Sequence, residues 1–235
     1  MDTLRLRYFD TIAYQTSWQA MRAFTTGRTV ETPDELWILE HPPVYTLGQA
    51  GKAEHILNPH QIPVVKCDRG GQVTYHGPGQ TVIYLLIDLH RKNLGVRELV
   101  SNIESAIMSF LESVGLSPHL KEGAPGVYIE HRKIASLGLR IRQGRSYHGL
   151  ALNRAMDLSP FLGINPCGYA NQAMTSLEQE KASAHRKSTE DSLVQLLQQH
   201  LNLGLATEVS STLPPQVDIE CYNHAPTQRL SEDSK

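Results

Sequence analysis

The sequence predicts an α+β (mixed α/β) fold around one main sheet. Three apolar segments between residues 127 and 152 are separated only by short turns, which predicts an antiparallel meander. Apolar residues recur at helical spacing over 96–114, and elsewhere strands and helices are mixed without strict β-α-β alternation. The chain contains no repeat of 20–50 residues and no heptad run, so solenoids and coiled coils are excluded.

The first half of the chain is predicted to hold one short helix and several strands. The helix covers 17–25, with Ser17 as its cap. Leu36–Glu40 is a buried strand, and the His-Pro-Pro sequence at 41–43 breaks it. The continuously apolar run Thr81–Ile87 indicates a strand that is covered on both faces. Two further extended segments are expected at 44–47 and 64–65.

The second half is predicted to hold two helices and the meander. The helix over 96–114 lies between Gly95 and Gly115, which supply its end signals. A second helix, at about 190–201, has Thr189 as its candidate cap. The three strands of the meander are Val127–Ile129, Lys133–Ile141 and Tyr147–Leu152.

Composition limits the class of protein. The 235 residues are 40% hydrophobic and 20% charged, and the formal net charge of -2 argues against nucleic acid and anionic membranes as partners. The longest apolar run, Val82–Ile87, is far shorter than the ~20 residues that span a bilayer. No signal-peptide core follows Met1, so we expect a cytoplasmic protein. The periodicity fades after residue 205, which predicts one domain over 1–205 and a loosely structured tail over 206–235.

The chain has three cysteines and no CxxC pair, so a disulfide framework and a zinc ribbon are both disfavoured. Cys67 follows a short strand and is predicted to be a core residue, whereas Cys221 lies in the tail and is predicted to be inert. Cys167 lies between Pro166 and Gly168, which is typical of a sharply turning loop. From this local sequence alone, Cys167 is either a nucleophile presented on a loop or a buried thiol.

A catalytic thiol needs a neighbouring cation or base, because an unperturbed thiol is only a few per cent ionised near neutral pH. The candidates are Lys133, Arg140, His76 and His148. The chain contains no HExxH sequence and no GxSxG sequence, so neither a metal site nor a serine-hydrolase elbow is supported.

Glycine is concentrated in one part of the chain. Six of the 17 glycines fall within residues 48–79, and the densest stretch is Arg69–Gln80, immediately before the predicted strand at Thr81. Glycines allow a backbone to approach a ligand closely, so this loop is predicted to bind a ligand. It matches neither the Walker loop nor the Rossmann fingerprint.

Several segments, in consistent order over about residues 5–205, resemble the lipoyl(octanoyl) transferases. They are Glu40–Gly48, Arg69–Gln80, Lys133–Arg140, Tyr147–Asn153, Asn165–Gly168 and Met174–Leu177. The resemblance implies the biotin/lipoate protein ligase-like catalytic fold, in which a central mixed sheet is flanked by helices, and it makes 1–205 an acyltransferase domain. It also implies transfer of an octanoyl or lipoyl group from acyl carrier protein to a lysine of lipoyl-domain proteins, namely dehydrogenase E2 subunits and the glycine cleavage H protein. No cofactor and no metal are expected.

The resemblance also implies residue roles. Cys167 would form the acyl thioester, and Lys133 would lower the pKa of that thiol and relay protons. Backbone amides of 136–138 or of Gly70–Gly71 are our candidates for stabilising the oxyanion. The substrate-binding residues implied are Arg69, Gly70, Gly71, Gln72, Val73, Thr74, Tyr75, His76, Ser136, Leu137, Gly138, Gly149, Leu150 and Ala151.

Three alternatives remain open at the level of the sequence. An ATP-dependent lipoate–protein ligase would have a related fold and a glycine-rich loop, but it would not require a cysteine. A thiol hydrolase would use water in place of a lysine acceptor, and a binding module would sequester lipoyl or biotinyl groups without turnover.

Overall fold

A computed structural model of the protein describes residues 3–168, 172–209 and 212–213, and of Cys167 it describes the backbone. The strands within these residues are β1 (Leu4–Thr11), β2 (Asp34–Glu40), β3 (Val44–Leu47), β4 (Val64–Lys66), β5 (Val73–His76), β6 (Gln80–Leu86), β7 (Pro118–Leu120), β8 (Val127–Ile129), β9 (Arg132–Arg142), β10 (Arg145–Asn153) and β11 (Ala206–Glu208). Eight of them form one mixed sheet in the order β11-β1-β2-β6-β10-β9-β8-β7, and β4-β3-β5 form a second sheet. The predicted mixed α+β fold is confirmed.

Helices cover both faces of the large sheet. They are α1 (Tyr14–Gly27), α2 (Leu89–Lys92), α3 (Val96–Ser113) and α4 (Arg186–His200). The α1 residues Ala20 and Met21 pack with Val82 and Tyr84 of β6, whereas residues of α3 and α4 pack with Ile83 on the opposite face. Successive side chains of a strand point to opposite faces, and both faces of β6 are covered. Every residue of β6 is therefore buried, as its continuously apolar sequence predicted.

Two predicted helix caps are wrong. Helix α1 begins at Tyr14, and Ser17 lies inside its first turn, where Oγ donates to the Tyr14 carbonyl at 2.9 Å. Helix α4 begins at Arg186, and Thr189 is buried in its first turn. Helix α1 starts three residues before the predicted position 17, and α4 starts four residues before the predicted position 190. In each helix the polar side chain that was interpreted as a cap packs inward.

Three structural features were not predicted from the sequence. Strand β1 alternates buried Leu4 and Leu6 with Arg5, and it pairs in parallel with β2. The segments β3, β4 and β5 form their own sheet. Strand β11 pairs in parallel with β1, so the large sheet extends beyond residue 205, where the pattern had faded. No helix in the described part of the chain is long and apolar enough to cross a membrane.

Candidate active site

A pocket of about 510 Å³, counted with the open space at its mouth, lies between the two sheets. Strands β5, β6, β9 and β10 and the loop before β5 supply most of its wall, and Tyr14 at the start of α1 completes it. The lining residues are Tyr14, Arg69, Gly71, Gln72, Val73, Thr74, His76, Val82, Tyr84, Ser136, Leu137, Gly138, His148, Gly149, Leu150 and Ala151. Five segments that are separate in sequence therefore meet around one cavity.

Twelve of the fourteen residues that the sequence predicted to bind substrate line this pocket, and Gly70 and Tyr75 do not. The Gly70 amide donates to the Leu139 carbonyl at 2.9 Å, so it is engaged in holding the loop against β9. The Tyr75 ring packs against Phe161, with ring centroids 5.4 Å apart. Among the residues whose amides are proposed as oxyanion donors, Gly71, Ser136, Leu137 and Gly138 line the pocket.

Four lining residues were not among the predicted binding residues: Tyr14, Val82, Tyr84 and His148. No local pattern marks Tyr14 or Tyr84, because each is an ordinary buried aromatic within its own element. His148 has a backbone φ of 60°, which is uncommon for a residue with a side chain. Its side chain lies on the same side of the sheet as Tyr84, with ring centroids 6.0 Å apart.

The Arg69 side chain links the glycine-rich loop to β3 through hydrogen bonds. Its guanidinium is buried and donates to the Thr46 carbonyl at 2.6 Å, to the Gln72 carbonyl at 2.7 Å and to the Gly70 carbonyl at 2.8 Å. A Cβ on Gly138 would lie 3.2 Å from Cδ of Arg69, so the glycine allows β9 to approach this side chain. The loop is therefore shaped by one buried arginine as well as by its glycines.

Two histidines of the pocket wall, His76 and His148, and the neighbouring His41 are buried and fixed by hydrogen bonds. The His148 Nε2 lies 3.0 Å from Asp68 Oδ1, and the His76 Nδ1 lies 2.7 Å from the Gln80 side-chain oxygen. His41 Nε2 lies 2.6 Å from the Tyr84 hydroxyl. These contacts hold the three buried imidazoles in place.

Burial keeps these histidines neutral. It lowers the pKa of His41 to about 4, and it lowers the pKa of His76 well below its usual value. Burial also lowers the pKa of His148, although the neighbouring Asp68 carboxylate opposes the effect. For Asp68, burial acts to raise the pKa, but hydrogen bonds from His148 and Tyr147 outweigh it and the pKa is lowered.

The histidine cluster predicts a specific pH dependence of stability. Between about pH 6.5 and the depressed folded-state pKa values, the unfolded chain binds more protons than the folded one. The free energy of unfolding is therefore expected to fall as the pH drops from 6.5 towards 4, by about 1.4 kcal/mol per pH unit for each histidine that stays neutral.

Urea titrations at several pH values measure this slope. His41→Gln should make the slope shallower, whereas replacing the exposed His131 by glutamine should leave it unchanged. A slope that His41→Gln does not alter would contradict the assignment.

Lys133 is fully buried at the start of β9. Its Nζ donates to the Pro125 carbonyl at 2.9 Å and lies 5.2 Å from the ring centroid of Tyr128. A Cβ on Gly126 would lie 3.3 Å from Nζ, so this glycine leaves room for the ammonium group. The Lys133 amide donates to the carbonyl of Ala173 at 2.9 Å, which ties β9 to the segment that follows the predicted cysteine loop.

The backbone of Pro166–Gly168 forms one turn of 3-10 helix that packs against β5. A Cβ on Gly168 would lie 3.2 Å from Cγ of Gln72 and 3.4 Å from Nε2 of His55. Gln72 and Lys133 therefore border Gly168 and Ala173, which both follow Cys167 in the chain. The Cys167 side chain and Cys221 lie outside the described residues. Cys67 is buried, as predicted. No three potential metal ligands cluster among the residues that are described.

Residues 13–202 match the family described as the lipoyl protein ligase A/B catalytic domain. The chain belongs to this family. It is 56% identical over 203 residues to an octanoyltransferase of Alcanivorax borkumensis, covering 86% of this chain and 82% of the relative. It is 64% identical over 164 residues to an octanoyltransferase of Cellvibrio japonicus, covering 70% and 76%. The resemblance inferred from the sequence is confirmed.

Solved structures of the same fold are more distant in sequence. A lipoate-protein ligase A bound with ATP has a TM-score of 0.74 at 14% identity, and 90% of each chain is covered. A bi-partite lipoate protein ligase from Thermoplasma acidophilum has a TM-score of 0.72 at 15% identity, with 90% of this chain and 88% of the other covered. These likenesses establish the ligase-like catalytic fold of this family member.

Proposed function

We propose that this family member transfers an octanoyl or lipoyl group from acyl carrier protein to a lysine of a lipoyl-domain protein, the first step of endogenous lipoate biosynthesis. The observation that carries the proposal is the high identity to octanoyltransferases over most of both chains. The pocket supports it, because Val82, Leu137, Leu150 and Ala151 supply an apolar wall on the sheet that also carries Lys133. An acyl chain of eight carbons gains stability from such burial.

In the proposed first step, the Cys167 thiolate attacks the thioester carbon of the carrier. The carrier thiol leaves with a proton from the Lys133 ammonium, and octanoyl-Cys167 remains. In the second step, the acceptor lysine amine attacks this thioester. Neutral Lys133 takes a proton from the attacking nitrogen, the Cys167 sulfur leaves, and an amide forms. Thioester exchange is nearly balanced and amide formation is downhill, so the reaction needs no ATP.

The proposed partners are acyl carrier protein as donor, and dehydrogenase E2 subunits and glycine cleavage H protein as acceptors. Arg140 contributes a cation near the pocket loop for an acidic carrier, and it donates to the Gln49 side chain at 2.8 Å. Arg145 contributes less, because it pairs with Asp88 at 3.4 Å. A cytoplasmic location and a single catalytic domain, which β11 extends from the predicted boundary at 205 to Glu208, followed by a tail, are further parts of the proposal.

Incubation with octanoyl carrier protein, with and without a lipoyl-domain acceptor, tests the function. Without acceptor, intact mass spectrometry should detect one octanoyl group on the protein, and addition of the acceptor should discharge it onto a lysine without ATP. Release of free octanoate without acceptor would indicate a thiol hydrolase. Transfer that depends on ATP and on free acid would indicate a lipoate–protein ligase, and binding without turnover would indicate a sequestering module.

A further inference from the structure

The pocket changes character along its length. In the ladder between β9 and β10, Ser136 pairs with Ala151, and three residues further from Lys133 on β9, Leu139 pairs with His148. The lining therefore passes from small and apolar groups near Lys133 to polar rings at the other end. An octanoyl chain that enters beside Lys133 would point its methyl group towards those rings.

Three nearly parallel rings form the polar end. The ring of Tyr14 stacks on His76 with centroids 5.9 Å apart and planes 11° apart. The same ring stacks on His148 with centroids 6.4 Å apart and planes 14° apart. All three side chains line the pocket and are buried, Tyr14 to the point of 3% exposure. These three residues are called the ring stack.

Neighbouring side chains fix the position of the ring stack. His148 is fixed by Asp68 and His76 by Gln80, and the edge of the Tyr14 ring meets His41 with centroids 5.4 Å apart. Aliphatic side chains such as leucine or methionine can adjust their rotamers to a longer ligand. The ring stack cannot, because movement of either imidazole would leave a buried hydrogen-bonding group without its partner.

The length of the slot matches the chain. A Cβ on Gly126 would lie 3.3 Å from Lys133 Nζ and 2.5 Å from the Ala135 carbonyl oxygen, so the ammonium group lies close to the Ala135–Ser136 peptide and the slot is measured from Ser136. From Ser136 to Leu139, three residues of extended strand cover roughly 10 Å. The seven carbon–carbon bonds of an extended octanoyl group, each of about 1.5 Å, span roughly 9 Å. A chain with four more carbons would have to displace the rings or fold back on itself.

We propose that the ring stack of Tyr14, His76 and His148 is the end wall of the acyl slot and limits the acyl chain to about eight carbons. This inference rests on the proposed function, and it assigns specificity to Tyr14, on which both imidazoles stack. Removing the Tyr14 ring opens space at the end of the slot without touching the residues that carry the chemistry.

The test compares kcat/KM for octanoyl and dodecanoyl carrier protein in the unaltered protein and in three variants. Tyr14→Leu and Tyr14→Ala should raise the dodecanoyl-to-octanoyl ratio at least tenfold, with the larger effect for alanine. Tyr14→Phe is the matched control, because it keeps the ring. The Tyr14 hydroxyl is buried near the Cys67 thiol and has no nitrogen or oxygen partner in the described part of the chain. Its removal should leave the ratio within about threefold of the starting value.

Both rates are measured on one preparation, so a reduced folded fraction cancels from the ratio. An unchanged ratio in Tyr14→Leu and Tyr14→Ala would overturn the end wall. An increase in Tyr14→Phe equal to that in Tyr14→Ala would also overturn it, since the hydroxyl and not the ring would then set the length. Absence of transfer with every chain in the unaltered protein would instead refute the proposed function.

Discussion

Replacing Cys167 by alanine is expected to abolish octanoyl transfer, with the rate falling by about a thousandfold or more. Cys167 forms the acyl thioester in the first step of the proposed reaction. Without this thiol, the octanoyl group cannot be transferred through an acyl-enzyme intermediate. The described residues that line the pocket include no cysteine, so none of them offers a substitute thiol. Binding of the octanoyl carrier should persist, since the acyl slot is unchanged.

A matched thiol is available as a control. Cys67 is buried with Tyr14 and Val44, its Sγ lies 3.6 Å from the Leu47 carbonyl oxygen, and it does not line the pocket. Cys67→Ala should therefore retain octanoyl transfer, at a cost of about 1 kcal/mol in the free energy of unfolding.

Intact mass after incubation with octanoyl carrier protein distinguishes the two cysteines. The unaltered protein and Cys67→Ala should gain one octanoyl group, and Cys167→Ala should gain none. An octanoyl adduct on Cys167→Ala would place the nucleophile elsewhere. Full transfer by Cys167→Ala in the presence of ATP and octanoate would show that the chain acts as a ligase.

Elements with a continuous local signal could be predicted from the sequence. The apolar spacing of 96–114 gave the bounds of α3 to within one residue. The glycine-rich loop and the β9 and β10 segments were recognised from their motifs, and they meet at one pocket. Such signals are local, because the period of a strand or helix is contained in a single segment.

His76 was among the predicted binding residues and His148 among the candidate bases, but their assembly with Tyr14 and Tyr84 at the far end of the pocket could not be predicted, because the four residues come from separate elements. Tyr14 opens α1, His76 ends β5, Tyr84 lies in β6 and His148 lies in β10. Each has an ordinary interpretation in its own segment as a buried aromatic or polar residue. Only the stacking of the two sheets and α1 brings them together, and the positive φ of His148 gives no signal in the sequence.

Replacing Lys133 by methionine is expected to lower octanoyl transfer by about a hundredfold or more, which is the usual contribution of a positioned acid–base group. Methionine keeps an unbranched side chain of similar length, so the packing beneath Tyr128 is preserved. The variant should fold, because it removes a buried charge rather than creating one. The loss should therefore appear in the rate of transfer and not in the fraction of folded protein.

The surroundings of Lys133 are suited to holding an ammonium group in place. The Pro125 carbonyl accepts one of its hydrogen bonds, and the ring of Tyr128 offers a cation–π contact. Gly126 has a φ of 125°, and a Cβ there would lie 2.5 Å from the Ala135 carbonyl oxygen. A side chain at position 126 would therefore collide with β9 beside the ammonium group. With glycine there, the Pro125 carbonyl and the Tyr128 ring can hold Lys133 in place.

The pH dependence of thiol alkylation separates a catalytic role of Lys133 from a structural one. In a Cys67→Ala, Cys221→Ala background, the labelling rate of Cys167 reports its thiolate fraction. Lys133→Met should raise the midpoint of that profile by about one pH unit or more, since one unit corresponds to ~1.4 kcal/mol of preferential thiolate stabilisation. The matched control is Lys181→Met, an exposed lysine that should leave both the profile and transfer unchanged. If Lys133→Met loses transfer but the midpoint is not shifted, Lys133 acts only as a proton relay. If neither the transfer rate nor the midpoint changes, Lys133 has no role in the two proposed steps.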